Sequence, residues 1–391
     1  MIYFRITIII FLLTIFINSS LFIRYYDIKY YNLIYILGPI LGISFLFVFF
    51  KLTIKRRINF EIFVWRANPG VALILSMISA FIVAMSFDIN EFILGNISSI
   101  RGDFILRKVT FFEQITPLLL IYPFIYISYK FLKETSKFSF VDYTILFLLV
   151  FFGLSSGGRA FIFEILLLFV FINKPNVFTM KFIFGYIIVS SLFAFITIGR
   201  FSNIDSYKVK ILEAGAPLKF NEFLKDRSEY PIIKDIIVEF VFYFGQGIPA
   251  FCNKFDNLRM TILPHSFWGI QPFVERQLIR WGILNYSQEA TYDELTNLSN
   301  GSGFFKVSWS TGFLDIYFHE GIIFSFFFFI LVSVILFITH LNLIRKNEPK
   351  YQVLTGFNLL FIVTMFMTPA FMETVAFFSY VTIFLTKVRI S

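Results

Sequence analysis

A lone cation between two apolar runs is the first feature of this chain with chemical meaning. SSGGRA, residues 155–160, separates YTILFLLVFFGL, which has no charge, from FIFEILLLFVFI, whose one charge is Glu164. From Ala160 to Lys174 a helix rises only about 22 Å, against roughly 30 Å of bilayer hydrocarbon. The turn is therefore expected to be recessed, where an arginine is costly unless it meets a partner or water. Gly157 and Gly158 permit a tight turn and the close approach of another group. Arg159 then suits an anion, because a guanidinium forks onto phosphate oxygens and the next helix opens with N–H groups. Its plainer roles are an ion pair with Glu164 or a reach to lipid phosphate. Arg200, after ITIG, and Arg101, in SSIRGDF, are candidates for the same anion. Their plainer roles are an interfacial anchor and an ion pair with Asp103.

Histidine is scarce, with three in the chain. His340 reads as an interfacial residue. His265 lies in ILPHSFWG, and His319 in STGFLDIYFHEG, four residues after Asp315 and so on one helix face with it. Either of these two can act as a general base; the plainer role is a structural hydrogen bond. Asp315 and Glu320 also suit the start of a helix electrostatically. YFGQGIPAF, residues 243–251, marked by Tyr243, Gly245, Gly247 and Pro249, is expected to be a shaped loop against lipid or sugar, or a simple turn. There is no Walker loop, no HExxH, no Cys/His cluster and no convincing DxD pair, so no metal or cofactor is expected.

These residues must be positioned by a very apolar scaffold. Of 391 residues, 58% are hydrophobic and 59 are phenylalanine, more than a soluble domain can bury. The expectation is an all-α, polytopic membrane protein with about ten spans, near 2–23, 32–50, 70–87, 115–132, 141–156, 160–173, 182–199, 313–341, 353–369 and 371–386. The first is read as an uncleaved span rather than a signal peptide, since it lacks a small-x-small cleavage site. The single cysteine, Cys252, rules out an internal disulfide. The net charge of +9 comes from residues flanking the spans, so it reads as topology signal and not as a nucleic-acid surface.

Every second connection is basic: Lys51 to Arg66, Lys130 to Lys137, Lys174 and Lys181, Arg345 to Lys350, and the end with Lys387 and Arg389. Those connections and both termini are expected in the cytoplasm, the alternate ones outside. The chain divides into spans over 1–199, a large outer segment over 200–312, and spans over 313–391. The outer segment holds Trp268, Trp281, Trp309 and many Phe, Tyr and Ile, so a folded cap is expected rather than disorder. Within it, 236–251 is a candidate to dip into the outer leaflet, and QPFVERQLIRWGIL (271–284) looks like an amphipathic helix lying at the interface.

The layout, together with SSGGRAF at 155–161, TIGRF at 197–201, YFGQGIPAF at 243–251 and TGFLDIYFHEGI at 311–322, resembles the O-antigen or oligosaccharide repeat-unit polymerases (Wzy type) of bacterial surface-polysaccharide pathways. At 319–320 this chain has His-Glu in place of the residues expected there. The resemblance implies a metal-independent glycosyltransferase in the bacterial inner membrane, with its large loop in the periplasm. It joins polyprenyl-pyrophosphate-linked oligosaccharides. Arg159, Arg200 and Arg101 would clamp the pyrophosphate, and His265, His319 or an acid of the outer loop would serve the acceptor hydroxyl. Besides membrane lipid, a chain-length regulator and a flippase of the same pathway are the implied partners. Rival readings are an O-antigen ligase, a lipid-linked oligosaccharide flippase or other transporter, and a non-catalytic membrane protein.

Overall fold

The computed structural model describes residues 12, 22–25, 28, 30–53, 62–86, 111–132, 138–155, 159–173, 218–226, 233–234, 237–238, 245–258, 272–284, 311–346, 348–366 and 373–390. They are mostly helical. In chain order the elements are β1 (Ile23–Tyr25), a 3-10 turn (Tyr30–Leu33), α1 (Ile34–Thr53), β2 (Phe63–Ala67), α2 (Pro69–Ser86), α3 (Phe111–Lys130), α4 (Phe140–Ser155) and α5 (Arg159–Asn173). Then follow β3 (Leu218–Phe220), α6 (Glu222–Lys225), α7 (Gly247–Phe255), α8 (Pro272–Arg280), α9 (Gly312–Lys346), α10 (Pro349–Thr364), α11 (Thr374–Leu385) and β4 (Thr386–Ile390). The apolar runs read from sequence thus coincide with α1 to α5 and α9 to α11. The expected spans at 2–23 and 182–199 lie outside the described residues, apart from Leu12, Phe22 and Ile23.

Tyr30–Thr53 and Gly312–Arg345 are each long and apolar enough to cross a bilayer; the apolar parts of α2, α3, α4, α5 and α11 are shorter. Phe45, Leu52 and Met85 are 70%, 73% and 76% exposed, and Phe326 and Phe327 stand out beside them. Apolar surface displayed on this scale belongs against lipid or a partner, not water.

The chain forms two compact units. The first comprises Met1–Lys55, Ser206–Ile338 and Phe361–Met372. Its two-stranded antiparallel sheet pairs Ile23 with Phe220 and Tyr25 with Leu218. Around it Leu224, Val238 and Ala250 form a small core. A second core joins Ile36 and Ile40 of α1 to Ile248, Phe251 and Phe255 of α7, to Phe313 and Leu314 of α9, and to Phe366.

α9 is not one straight helix. Gly321 has φ 64° and ψ −175°, a conformation open essentially to glycine alone, and it breaks the rod into 312–320 and 322–346. Ser325 Oγ donates to the Ile316 carbonyl at 3.2 Å across the break. The short first helix carries Asp315, His319 and Glu320; the long second one is the apolar rod.

The second unit comprises Arg56–Asp205, Thr339–Leu360 and Glu373–Ser391. α3 packs against α2, α4, α5 and α11, and α2 against α4. Small residues set the close approaches. A Cβ on Gly153 of α4 would come within 2.9 Å of Ile162 Cγ1 on α5, and one on Gly356 of α10 within 2.5 Å of Ile172 Cγ1. The helix starts follow sequence rules. Asn68 Oδ1 accepts from Gly70 N at 2.7 Å ahead of α2, with Pro69 in the first position. Ser139 and Asp142 form a capping box on α4, with Ser139 N donating to Asp142 Oδ2 at 2.7 Å and Asp142 N to Ser139 Oγ at 3.3 Å. β2 and β4 pair in parallel, Phe63 with Thr386 through Ala67 with Ile390.

Candidate functional site

Two stretches singled out separately in the sequence come together in the first unit: GQGIPAF near 245–251 and TGFLDIYFHEG at 311–321. The first was expected to be a loop or a turn. It is instead the start of helix α7, because Pro249 falls in the first turn, where its missing N–H has no intrahelical acceptor to lose. Every residue of α7 is buried. Gly247 lies directly on the Phe366 carbonyl oxygen, and a Cβ there would also come within 3.6 Å of Thr311 Cγ2. Gly312 N donates to Met365 O at 2.8 Å, so the start of α9 is held to the same turn. Rings close the remaining space: Phe255 lies 5.7 Å from Tyr317, and Phe313 lies 5.9 Å from Phe366.

The C-terminal end of α7 is fixed by hydrogen bonds. Asn32 Nδ2 donates to the Cys252 carbonyl at 3.0 Å and to Asp256 Oδ1 at 2.9 Å, and Tyr31 OH donates to the same oxygen at 2.6 Å. Tyr317 OH donates to the Tyr35 carbonyl at 3.0 Å and ties α9 to the start of α1. These groups are satisfied and act as scaffold.

The polar side chains between these anchors are buried: Gln246, Asn253, Lys254, Thr311, Asp315, His319 and Glu320. Asp315 and His319 share one face of the short helix 312–320, as their four-residue spacing requires. The His319 imidazole meets the Phe318 ring edge-on at 5.0 Å. Lys254 is 4% exposed and within electrostatic reach of Asp315. Burial pushes the Lys254 ammonium down to about 8, against the opposing pull of the Asp315 carboxylate. A cation, a carboxylate and an imidazole are thus gathered in one apolar setting. Such a set can bind an anion and take or give a proton.

Lys254, Gln246 and Thr311 were not among the residues picked from sequence. Lys254 could have been found as the lone cation in an otherwise neutral helix, GIPAFCNKF. Gln246 and Thr311 had no such signal, since their depth depends on contacts between distant segments.

Of the candidate residues, Asp315 and His319 lie together in this cluster, and Gly245, Gly247 and Pro249 are buried at or beside the start of α7. Arg159 is the first residue of α5, with only its backbone described. Arg101, Gly157, Gly158, Arg200, Tyr243 and His265 lie outside the described residues. α8 begins at Pro272, close to the amphipathic helix expected at 271–284. Past its end at Arg280 the chain turns at Gly282, φ 72°, with Ile283 N bonded to Leu278 O at 2.9 Å, and Trp281 and Ile283 are left exposed.

One residue of the second unit stands apart. Glu164 of α5 is 1% exposed, and among the described residues neither of its carboxylate oxygens has a hydrogen-bond partner.

Among the described residues no group of three or more His, Cys, Asp or Glu is placed to hold a metal ion. Comparison with family models, with characterised proteins and with solved structures finds no match.

Proposed function

We propose that this chain is a membrane-embedded glycosyltransferase that joins polyprenyl-pyrophosphate-linked oligosaccharide repeat units on the outer face of a bacterial inner membrane. The observation that carries the reading is the meeting of two of its four family-like stretches, within 245–251 and 311–321, around a buried Lys254, Asp315 and His319. Nothing in the sequence required stretches so far apart to share one core.

In the proposed reaction the acceptor hydroxyl attacks the anomeric carbon of the donor chain. The C–O bond to the lipid diphosphate breaks, and the diphosphate leaves with the bonding pair. Arg159, Arg200 and Arg101 neutralise that leaving group. His319, with Asp315 one turn earlier, takes the proton of the acceptor hydroxyl.

The topology of the reading has about ten spans, both termini in the cytoplasm and 200–312 outside. It is supported by the two sheets. β1 pairs with β3, joining two segments that the lysine and arginine bias puts outside. β2 pairs with β4, joining two that the same bias puts in the cytoplasm.

The test is complementation of a strain that makes single repeat units but lacks its polymerase. The chain should restore a ladder of long polymers. Arg159→Lys and His319→Gln, expressed at wild-type level, should reduce chain extension about 100-fold or more. Product no longer than one unit from the unaltered chain would overturn the reading.

A second reading, transport of the lipid-linked oligosaccharide, is favoured by Glu164, because an unpartnered acid within a span is typical of transport pathways. Under that reading Glu164→Gln stops movement of a labelled lipid-linked unit across proteoliposomes. Under the polymerase reading it leaves chain extension within about twofold of wild type, an effect too small for a group in direct contact with the reacting atoms.

A further inference from the structure

FVWRA (β2) and TKVRI (β4) carry cations and no acid. No Asp or Glu occurs between Ile62 and Phe87, or after Glu373. The two strands pair in parallel, which sets Val64 beside Lys387 and Arg66 beside Arg389. Paired positions on neighbouring strands lie about 4.8 Å apart, so like charges at them repel unless an anion lies between.

Alternation along the strands gives the ribbon two faces. Positions 63, 65 and 67 share one with 386 and 388; positions 62, 64 and 66 share the other with 387 and 389. The first face is seated on α3. The Trp65 and Tyr122 rings lie 4.9 Å apart, and Ala67 is fully buried. Trp65 Nε1 donates to Thr386 Oγ1 at 3.0 Å, Asn68 N donates to Tyr122 OH at 2.7 Å, and Ile62 N donates to Leu385 O at 2.8 Å. A two-stranded ribbon is marginal alone, and these contacts hold it. The second face is open. Ile62, Val64 and Arg66 are exposed and Lys387 is partly so. Among the described residues neither Arg66 nor Lys387 has an ion-pair partner.

The ribbon also stands where two apolar helices end. α2 begins two residues after β2, and α11 runs straight into β4. The polar surface of a bilayer falls at such ends. Apolar side chains mixed with cations on one open face match that boundary, where acyl chains give way to phosphates. An acidic protein would match the cations but leave Ile62 and Val64 in water.

We propose that the open face of the β2–β4 ribbon binds the headgroups of anionic phospholipid, with Arg66 and Lys387 taking the phosphate and Ile62 and Val64 lying against the upper acyl chains. By the lysine and arginine bias these are headgroups of the cytoplasmic leaflet. Sidedness requires only that a connection be basic; the paired strands add a fixed spacing of the charges. This surface follows from the membrane placement and is independent of the chemistry proposed above.

The test is titration of phosphatidylglycerol and of phosphatidylcholine onto the detergent-solubilised full chain, read by native mass spectrometry as the affinity for the first bound lipid. The unaltered chain should bind phosphatidylglycerol about fivefold more tightly than phosphatidylcholine. Raising ammonium acetate from about 0.1 to about 1 M should remove most of that preference, because the screening length falls from about 10 to about 3 Å. Arg66→Gln with Lys387→Gln should cut the preference to about half or less, whereas Arg66→Lys with Lys387→Arg should keep it. Arg345→Gln with Lys346→Gln removes as many charges from another basic connection and should leave it unchanged. The surface would be overturned by equal affinity of the two lipids, by a full preference in the Arg66→Gln, Lys387→Gln variant, or by an equal loss in the Arg345→Gln, Lys346→Gln variant. A preference in the unaltered chain that salt does not move would overturn it whether or not the neutral variant folds. Displacement of phosphatidylglycerol by poly-glutamate would overturn the lipid in favour of an acidic protein.

Discussion

Two places in the molecule, Asp142 at the start of α4 in the second unit and the N-terminal end of α7 in the first, treat buried polar groups differently. In the second unit Asp142 is fully buried and fully used. It accepts from Tyr126 OH at 2.6 Å and from Ser139 Oγ at 2.9 Å, and it pairs with Lys130 at 3.5 Å. Asn358 accepts from Tyr380 OH at 2.9 Å in the same way. In the first unit the C-terminal end of α7 is just as well satisfied through Asp256, while its N-terminal end leaves Gln246 and Thr311 unmet. A closed network holds helices together. An open one keeps hydrogen-bonding capacity for something that arrives later. Among the described residues, Glu164 in the second unit follows the open pattern as well, and as a buried acid it is the residue on which a transport reading turns.

The contrast can be broken first at the glycines. In the first unit, Gly247→Ala drives a methyl onto the backbone oxygen of Phe366, which cannot step aside. The expected cost is about 3 kcal/mol, at the upper end for overpacking, with loss of the 245–258 packing. Gly153→Ala in the second unit meets the flexible end of Ile162 at 2.9 Å, and the expected cost is about 1 kcal/mol. Thermal unfolding of the two variants in one detergent checks the order; equal losses would mean that Gly247 is not the pinned position described.

Asp142→Asn comes next. It removes the charge that faces Lys130 and weakens the bonds to Tyr126 and Ser139. The expected loss is about 2 kcal/mol of stability, read as a lower melting temperature, with chain extension per folded molecule unchanged. A loss of chain extension at unchanged stability would show that this acid belongs to a site and not to the scaffold.

The smallest effect is a pH dependence at Lys254. Burial lowers this group from 10.5 to about 8, so chain extension should fall as pH rises through about 8, when Asp315 loses its counter-charge. Stability should move the other way. Between about 8 and 10.5 the unfolded chain holds a proton that the folded chain has released, so this lysine makes stability rise with pH over that window. Lys254→Arg, which stays charged, should flatten the activity profile. A wild-type profile level from pH 7 to 9.5 would remove Lys254 from the site.

Much of the helical scaffold was legible from residue order. Long uncharged runs can satisfy their backbone in an apolar setting only as helices, so α1 to α5 and α9 to α11 lie where the runs do. Asn68-Pro69 and Ser139–Asp142, which the reading of the apolar runs passed over, cap two of these helices from residues near in sequence. The spacing of Asp315 and His319 gave their common face for the same reason. Reading YFGQGIPAF as a loop or a turn went wrong because glycine and proline were weighed as breakers, when Pro249 falls at a helix start.

Other features depend on partners far away in the chain. β1 and β3 lie almost two hundred residues apart, and no local pattern announces a three-residue strand. The break at Gly321 needed the backbone itself, since glycine permits that conformation without imposing it. What residue order fixed alone was the apolar helices and the local caps, each set by neighbours within a few positions. What tertiary structure decided was which polar groups lost water. Lys254, Gln246 and Thr311 are surrounded only once α7, the first turns of α9 and the turn at Phe366 are packed together, and burial, unlike helix propensity, belongs to no single segment.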